Sequence, residues 1–467
     1  MKAATLALIC AATSSLLLAG CALGPNYQRP AVDAPAFKVT GDWKPAGPSD
    51  HLPRGKWWRS FGDPTLNELE ERLDVSSNSI RVAEAQYRQA QAEAVIARSP
   101  LFPTLDVDAS AQRQKTTARS GLPAQVGNSF DLGLSSSWEL DLWGALRRGA
   151  EAGTASAQSS AADLESVRLS LHATLAQSYY SLRITDTQQR LYDRTVEDYK
   201  RFLEMTRNRY NQGIDTRADV AAAESQLKAA QAQAVDLRLQ RDQLEHSIAI
   251  LLGVPPATFT LAPAEVPLPV PATPALIASE QLERRPDIAA AERRLAAASA
   301  NIGVATAGYF PVLSLSASAG YEGRHFSNLI SASDEVWALG ASLVAPLFNA
   351  GKTHAQVSEA RAAYDQSLAT YRQTVLSAFQ EVEDNLAAAS LLAEEAKLQD
   401  DAVAAARQNT TITLNQYKAG TVSYLNVVNA QAAQLAAERT AAQLLGRRLN
   451  ASVTLLKAAG GDWHAES

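Results

Sequence analysis

Residues 130–142 read FDLGLSSSWELDL, in which apolar and polar side chains alternate with a period of two. In a β-strand this period places the apolar side chains on one face and the carboxylates of Asp131, Glu139 and Asp141 on the other. Segments of about ten residues with one apolar face and aromatic ends are typical of strands in a membrane β-barrel. A half-buried antiparallel sheet on a soluble core is the alternative, and the pattern alone favours that alternative.

Three more segments alternate in the same way, so the sequence predicts four strands per chain, at about residues 102–116, 128–143, 310–324 and 335–348. The apolar face of the fourth strand carries Trp337, Leu339, Ala341, Leu343 and Leu347. The polar faces of the first two strands predict an acidic lumen with a weak preference for cations, lined by Asp106, Asp108, Asp131, Glu139 and Asp141.

Four strands are too few to close a barrel, because the smallest closed barrels have about eight strands. Lipid does not tolerate an open sheet edge, since unpaired backbone amides find no water there. If these strands span a membrane, strands from several copies of the chain must therefore form one shared barrel. A trimer would supply twelve strands.

The chain contains an internal duplication. Leu101-Phe102-Pro103 recurs as Tyr309-Phe310-Pro311 at an offset of 208 residues, and the stretch from Tyr210 to Gly213 recurs as Tyr417 to Gly420 at an offset of 207. A nearly constant offset over most of the chain indicates two copies of one unit. We place these copies at 76–254 and 284–460, with a proline-rich linker at 255–283 between them, an N-terminal periplasmic segment at 21–75 and a C-terminal tail at 461–467.

Two long segments, 154–212 and 352–419, contain neither glycine nor proline, and they predict helices of about 90 and 100 Å. Helices of this length indicate a coiled coil or a rod-like element. After Gly213 an apolar seam runs in three- and four-residue steps, with Arg241 at its one polar position: Val220, Ala223, Leu227, Ala230, Ala234, Leu237, Leu244, Ile248 and Leu251. A further stripe in the second copy favours a neighbour on each side, as in a tube of helices, but a plain bundle fits the periodicity equally well.

The composition excludes several classes of protein. The chain has 467 residues and a formal charge of -6, from 43 basic and 49 acidic side chains, which does not favour a nucleic-acid-binding surface. Two cysteines cannot form a disulfide scaffold or a four-ligand zinc site. The six histidines are scattered, and the sequence has no HExxH, phosphate-binding loop or nucleophile elbow. We therefore expect no enzyme activity, no cofactor and no metal site.

The N-terminus predicts export and a lipid anchor. Lys2, a short apolar core and small residues before Cys21 describe a secretory signal peptide at residues 1–20. Leu18-Ala19-Gly20-Cys21 fits the lipobox of bacterial lipoproteins, so the mature protein would begin at Cys21 and carry diacylglycerol and palmitate. An ordinary signal peptide with an incidental cysteine is the alternative. The residue after the cysteine is Ala22 rather than aspartate, which predicts the outer membrane and supports the membrane interpretation of the strands.

Five segments, taken in order, resemble those of one known family: Gly24 to Tyr27, Trp57 to Pro64, Glu139 to Gly144, Arg284 to Ile288 and Pro346 to Gly351. With these segments the chain resembles the TolC-like outer-membrane efflux channels and, within them, the lipoprotein branch of the OprM and NodT types. The resemblance runs from Cys21 to about Gly460. It implies a mostly α-helical fold with a membrane β-barrel, in which a homotrimer shares one twelve-stranded β-barrel and long coiled-coil helices form a periplasmic α-barrel.

The resemblance also implies partners and a function. The chain would be the outer-membrane channel of a tripartite efflux system for multidrug resistance. It would pass small molecules from a periplasmic adaptor (membrane fusion) protein and an inner-membrane pump, most often of the resistance–nodulation–division type, to the exterior. The alternative within transport is the outer-membrane conduit of a type I protein secretion system. The lipobox and Trp57-Trp58 favour small-molecule efflux over this alternative. An envelope spacer or adhesin without a lumen is a third possibility.

Several site residues are implied by the same resemblance. In the family, helix–turn–helix tips at the periplasmic end form the gate and contact the adaptor. Here those tips are Tyr210 to Gly213 and Tyr417 to Gly420. Tyr417 matches a gate tyrosine, and Asp219 matches an acidic residue that tethers neighbouring coils, with simple helix capping as the alternative for Asp219.

The gate differs from the family pattern at three positions. Well-known members have a basic residue and two aspartates near the constriction, where this chain has Val422, Asn426 and Asn429. We therefore include Asn426 and Asn429 among the gate residues but expect neither a charge-based lock at Val422 nor a strong cation-binding ring.

Overall fold

The computed structural model describes residues 22–30, 55–115, 117, 125–264, 268–271 and 285–461. The predicted signal peptide at 1–20 and the predicted anchor Cys21 lie outside the described residues. So do parts of the linker predicted at 255–283 and most of the tail predicted at 461–467. Among the described residues, none of the helices combines the length and the apolar character needed to cross a membrane.

The described residues contain seven α-helices and four β-strands. The helices are α1 (Pro64–Ser76), α2 (Asn78–Arg98), α3 (Ala145–Asn211), α4 (Arg217–Leu251), α5 (Pro286–Ala307), α6 (Lys352–Lys418) and α7 (Tyr424–Ala458). The strands are β1 (Thr104–Lys115), β2 (Val126–Leu140), β3 (Val312–Gly323) and β4 (Glu335–Val344).

The helix bounds reproduce the predicted duplication. The long helices α3 and α6 both contain 67 residues, and the returning helices α4 and α7 both contain 35. Each element of the second pair begins 207 residues after its counterpart in the first pair. The absence of glycine and proline from α3 after Gly153 and from all of α6 permits these uninterrupted helices.

The chain divides into two compact units. The first comprises Met1–Val32, Ala85–Ala161 and Ala290–Gln373, and the second comprises Asp33–Glu84, Ala162–Ala289 and Thr374–Ser467. Both 67-residue helices contribute residues to each unit. All four strands belong to the first unit, and both helix tips belong to the second.

The first unit contains one antiparallel sheet in the order β1-β2-β3-β4. Its register confirms the predicted alternation, because residues opposite each other share a face. On the apolar face Val107 lies opposite Leu134, and Trp138 lies opposite Leu315. On the polar face Asp106 lies opposite Ser135. The sheet therefore has one apolar face, and its opposite face is polar on β1, β2 and most of β3, while β4 adds mainly small and apolar residues to that face.

Two of the predicted strands end earlier than expected. β2 stops at Leu140 and β4 at Val344, so Asp141 and Leu347 are not strand residues and the prediction that placed them on strand faces is wrong. The physical reason for Asp141 is helix capping. Its carboxylate accepts the backbone N–H groups of Leu146 and Arg147 at 3.1 and 2.9 Å, in the first turn of α3.

The second unit has an apolar core around a short N-terminal segment. A 3₁₀ turn at Trp57–Phe61 and helix α1 pack against α3, where Tyr179 is fully buried. Asp63 caps α1 by accepting from the backbone of Thr65 and Leu66, and it also accepts the Tyr179 hydroxyl at 2.6 Å. The N-terminal segment is thereby fixed to the long helix by packing and by hydrogen bonds.

A buried histidine reinforces this attachment. The imidazole of His172 on α3 contacts Glu70 at 2.7 Å through Nδ1 and Asp74 at 3.0 Å through Nε2, and Trp58 stacks on it at 4.5 Å. Burial alone would lower the pKa of His172, but the hydrogen bonds to Asp74 and Glu70 outweigh it and raise the pKa to about 9. Burial raises the pKa of Glu70 to about 7. The imidazole is therefore a cation held between two carboxyl groups.

This arrangement predicts that stability falls as the pH rises. Because the folded pKa of His172 is above its ordinary value of 6.5, its contribution is complete below pH 6.5 and is lost as the pH approaches 9. The raised pKa of Glu70 acts in the same direction up to pH 7. We expect the thermal unfolding midpoint to decrease between pH 7 and pH ~9.5. A His172→Gln variant should lack this decrease. If the unfolding midpoint of the variant falls with pH as much as that of the wild type, His172 is not the cause of the decrease.

The predicted seam of the returning helix is confirmed. Its central residues, Ala223, Leu227, Ala230, Ala234 and Leu237, are buried. Arg241, the polar position of the seam, is paired with Asp186 at 2.8 Å and with Glu245, and it donates to the carbonyl oxygen of Leu261. An arginine is tolerated in the seam because its charge is compensated on two sides.

Candidate functional site

The two helix tips are built by the same local geometry. Gly213 has φ 75° and Gly420 has φ 74°, a left-handed conformation that glycine adopts without strain. After each glycine, a backbone N–H returns to the preceding helix. Ile214 donates to the carbonyl of Arg209 at 2.9 Å, and Thr421 donates to that of Gln416 at 3.0 Å. The predicted tip glycines therefore end the long helices and start the turns.

The tips are linked by side chains. The Tyr417 hydroxyl donates to Asp215 at 2.7 Å, and Arg209 forms an ion pair with the same carboxylate at 3.0 Å. The Arg209 guanidinium also lies 4.6 Å from the centre of the Tyr417 ring, a cation–π distance. We call Arg209, Asp215 and Tyr417 the tip triad. It joins the end of α3 and the turn after it to the end of α6.

Burial makes the triad a strong link. Tyr417 is 1% exposed and lies 5.7 Å from the ring of Tyr424, within an apolar cluster of α3, α4, α6 and α7 residues. Burial, together with the hydrogen bond to Asp215, raises the pKa of Tyr417 to about 12. The hydroxyl therefore stays protonated at physiological pH and donates to the carboxylate. Tyr210, its counterpart in the first copy, is 43% exposed.

The predicted gate residue Asp219 caps helix α4 in this chain. Its carboxylate accepts the backbone N–H and the hydroxyl of Thr216 at 2.9 and 2.7 Å, and its own N–H donates to the Thr216 hydroxyl. This is a capping box. Within the chain, the carboxylate that links the tips is Asp215 rather than Asp219. A tether from Asp219 to a neighbouring chain stays a prediction.

The second tip lacks charged groups at the matching places. Asn426 and Asn429 are exposed, and the Asn426 amide donates to the Ser423 hydroxyl at 3.4 Å. The 207-residue offset pairs Arg209 with Gln416 and Asp215 with Val422. Comparing the two copies at this offset would have singled out Arg209 and Asp215 as a pair of opposite charges present in one tip only.

The polar face of the sheet brings most of the predicted lumen residues together. Asp108 accepts a hydrogen bond from Ser135 at 2.5 Å, and Asp131 accepts one from Ser110 at 2.7 Å. Glu139 lies opposite Ser314 and Asp106 opposite Ser135 on this face. Asp141 is absent from it, because it caps α3 and forms an ion pair with Arg147 at 3.0 Å.

The prediction missed one carboxylate on the polar face. Glu322 of β3 lies directly opposite Asp131 in the register. Its alternation with Tyr321 and Gly323 could have identified it, but Gly320 and Gly323 weaken the pattern at the end of β3. The acidic face defined by the structure is therefore Asp106, Asp108, Asp131, Glu139 and Glu322.

Residues after the predicted lipid site are fastened to the first unit. The Leu23 backbone N–H donates to the carbonyl of Trp143 at 3.0 Å, and Arg148 donates to the Leu23 carbonyl and to Asn26. Gly24 packs so closely against Gly303 that a Cβ added to it would lie 2.4 Å from the Gly303 Cα. The chain therefore leaves position 22 beside the start of α3.

The described residues offer no cluster of histidine, cysteine, aspartate and glutamate able to hold a metal ion. What they do offer is a two-faced sheet with open edges and two helical hairpins joined at their tips.

Comparison with known proteins supports the same interpretation. The sequence profile of the family described as Outer membrane efflux protein matches residues 70–254 and 277–461, once for each copy. The chain is 34% identical over 464 residues to the pyoverdine export outer membrane protein OpmQ of Pseudomonas aeruginosa, covering 97% of both chains. It is 31% identical over 475 residues to the toluene efflux pump outer membrane protein TtgC of Pseudomonas putida, covering 99% of this chain and 97% of the relative.

The fold agrees with a solved outer-membrane channel. The structure of OprN superposes with a TM-score of 0.88 at 32% identity, covering 95% of this chain and all of that one. These matches confirm the resemblance to outer-membrane efflux channels, while membership of the lipoprotein branch stays a prediction. With two profile matches and relatives aligned along nearly their whole length, the chain belongs to the outer membrane efflux protein family.

Proposed function

We propose that this chain is the outer-membrane channel of a tripartite efflux system, passing small molecules from a periplasmic adaptor and an inner-membrane pump to the exterior. The observation that carries the proposal is the combination of two features of the described residues: a four-stranded sheet with one largely polar face and no further strand at either edge, and two helical hairpins linked at their tips. Three chains would close the sheets into one twelve-stranded barrel. A proton-driven pump of the resistance–nodulation–division type is the partner that the resemblance favours.

The conduit of a type I protein secretion system is the alternative. Relatives whose names refer to pyoverdine and toluene favour small molecules over polypeptides. Accumulation of a fluorescent efflux substrate should rise in a strain that lacks the gene and return to the parental level on complementation. A deletion strain that accumulates no dye but loses a secreted protein from the medium would support the alternative instead.

The lipid anchor is part of the same proposal. Leu23 donates its backbone N–H to Trp143, and Asn26 accepts a hydrogen bond from Arg148, so the residues after Cys21 are held against the first unit and acyl chains on Cys21 would attach at a fixed place. Several acyl chains on one residue anchor stably, at about 0.8 kcal/mol per buried methylene. Intact mass of the mature protein should show an acylated N-terminus at Cys21, and an unmodified thiol there would contradict the anchor.

The acidic sheet face is proposed to line the lumen and to favour cations. Replacing Asp131, Glu139 and Glu322 together by lysine should shift the reversal potential in a salt gradient toward anion selectivity, because three negative charges per chain become positive. Asp141→Asn is the matched control, since asparagine also caps helices and this side chain is not on the face. Unchanged selectivity in the triple variant would show that these carboxylates do not line the pore.

The gate is proposed to be the tip region that contains the tip triad. The contacts of the Arg209–Asp215 ion pair with Tyr417 would stabilise a closed arrangement of the tips. Binding of the adaptor would favour an open arrangement. Energy for transport would come from the pump, since the described site offers a passage rather than a reaction.

A further inference from the structure

The two outer strands of the sheet are open edges. Among the residues that the structure describes, β1 pairs only with β2 and β4 only with β3. Their apolar side chains are strongly exposed, with Val107 at 72% and Leu339 at 77%, whereas Leu132 on the inner strand β2 is 36% exposed. An open edge is a template for another strand. The occupant that suits both edges is a second copy of this chain, and this step rests on the proposed trimeric barrel.

Both edge strands carry charges at the same end of their apolar face. Arg113 and Lys115 lie at the end of β1, in phase with Val107, and Glu335 begins β4 opposite Tyr321. All three side chains are exposed, and none of them is paired with another described residue. Opposite charges therefore stand at the two edges that adjoin each other when copies assemble.

The strand lengths restrict how those edges can pair. β4 has ten residues and β1 has twelve. If every residue of β4 is paired with β1 of a second copy in antiparallel order, Glu335 must face residue 113, 114 or 115. Gln114 is excluded because it lies on the polar face, whereas residues that oppose each other share a face. Glu335 then faces a basic residue in either remaining register.

The tilt of barrel strands selects between the two registers. Within the chain one row joins Ala109, Leu132, Tyr321 and Glu335. If the row continues from Glu335 to Arg113 of the next copy, it reaches β1 of that copy four residues beyond Ala109, where it began. Four residues are about 14 Å along the strand, and the four strands crossed are about 19 Å wide. This shift gives a tilt of about 35°, whereas a shift to Lys115 gives about 47°, and barrel strands typically tilt by about 35–45°.

Side-chain size supports the same register. With Glu335 at Arg113, Trp337 faces Ala111 and Leu339 faces Ala109, so these two large side chains lie opposite small ones, while Leu343 faces Leu105. With Glu335 at Lys115, Trp337 would instead face Arg113. We propose that Glu335 of one protomer pairs with the partner subunit's Arg113 across the seam between protomers. A two-residue slip to Lys115 keeps the faces matched and still places a basic residue opposite Glu335, so the strand tilt and the side-chain sizes, rather than the charges alone, favour Arg113.

Disulfide cross-linking tests the register. In the full chain, Glu335→Cys combined with Arg113→Cys should give intermolecular disulfides on a non-reducing gel, while Glu335→Cys with Gln114→Cys should not, because those side chains lie on opposite faces. A dominant cross-link between Glu335→Cys and Lys115→Cys would overturn the register. No cross-link at either position, in protein that native mass measurement shows to be a trimer, would overturn the seam. Failure of the wild-type protein to form trimers would instead contradict the proposed assembly.

Charge exchange tests the ion pair itself. Glu335→Arg should reduce the fraction of trimer that survives heating in mild detergent by at least about two-fold, and adding Arg113→Glu should restore it. Glu322→Arg, at the same end of the neighbouring strand but on the polar face, is the matched control and should not be rescued by Arg113→Glu. Absence of rescue in the exchanged variant would show that the two charges do not meet.

Discussion

Replacing Asp215 by alanine is expected to open the periplasmic end of the channel in the absence of adaptor and pump. The change removes the acceptor of the Tyr417 hydroxyl, 2.7 Å away, and leaves Arg209 without its ion-pair partner. Hydrogen bonds to charged groups contribute about 1.5–3 kcal/mol each. Their loss should shift the balance of closed and open states by roughly ten- to a hundred-fold. Single-channel recording should show a higher conductance or a higher open fraction than wild type.

Two further variants make this result specific to the tip triad. Tyr417→Phe removes only the hydroxyl and should give a smaller effect, because the Arg209–Asp215 pair survives. Asp198→Ala removes an exposed carboxylate of α3 that pairs with Arg201 one turn along the same helix, and it should leave the conductance unchanged. If Asp215→Ala behaves as Asp198→Ala does, the triad does not hold the gate closed.

Replacing His172 by alanine is expected to destabilise the second unit strongly. The change leaves Glu70, which is 0% exposed, without the cation that compensates it, and it removes the ring on which Trp58 stacks. Removing one partner of a buried ion pair costs about 3–5 kcal/mol. The N-terminal segment should then detach from α3, and protease should cleave near α1 in the variant under conditions that leave the wild type intact.

The variants that accompany His172→Ala separate charge from packing. Adding Glu70→Gln removes the uncompensated carboxylate and should recover part of the lost stability, whereas a loss due only to packing would not be recovered. His246→Ala removes an exposed histidine of α4 in the same unit and should not change protease sensitivity. Equal sensitivity of His172→Ala and wild-type protein would contradict the attachment of the N-terminal segment to α3 through this histidine.

Much of the fold follows from local patterns in the sequence. The segments without glycine or proline, the glycines after them and the offset between copies predict the helical hairpins closely. Alternation predicts the sheet faces because a strand has only two sides. The ends of β2 and β4 do not follow from these patterns. At the end of β2, Asp141 fits an alternating strand and a helix cap equally well by residue type. Only the start of α3 at Ala145 decides that Asp141 caps the helix.

The site was less accessible from the sequence. The resemblance identified Tyr417 but not its acceptor, because Asp215 and Tyr417 are about 200 residues apart and meet only when the two hairpins pack. Asp219 looked more informative than Asp215, yet its position three residues after Thr216 is a capping signal that the sequence already contained. Glu70 and Asp74 were missed as partners of His172, since nothing local indicates which charged residues a buried histidine will meet.

The central claim is that three copies of this chain enclose a water-filled passage across the outer membrane. Planar-bilayer recording of the purified full-length protein, with its mass measured in the same preparation, tests it most directly. We predict discrete conductance steps from trimers, and larger steps or longer openings from the Asp215→Ala variant. Trimers that insert into the bilayer but carry no current, in both the wild-type and the Asp215→Ala protein, would contradict the claim.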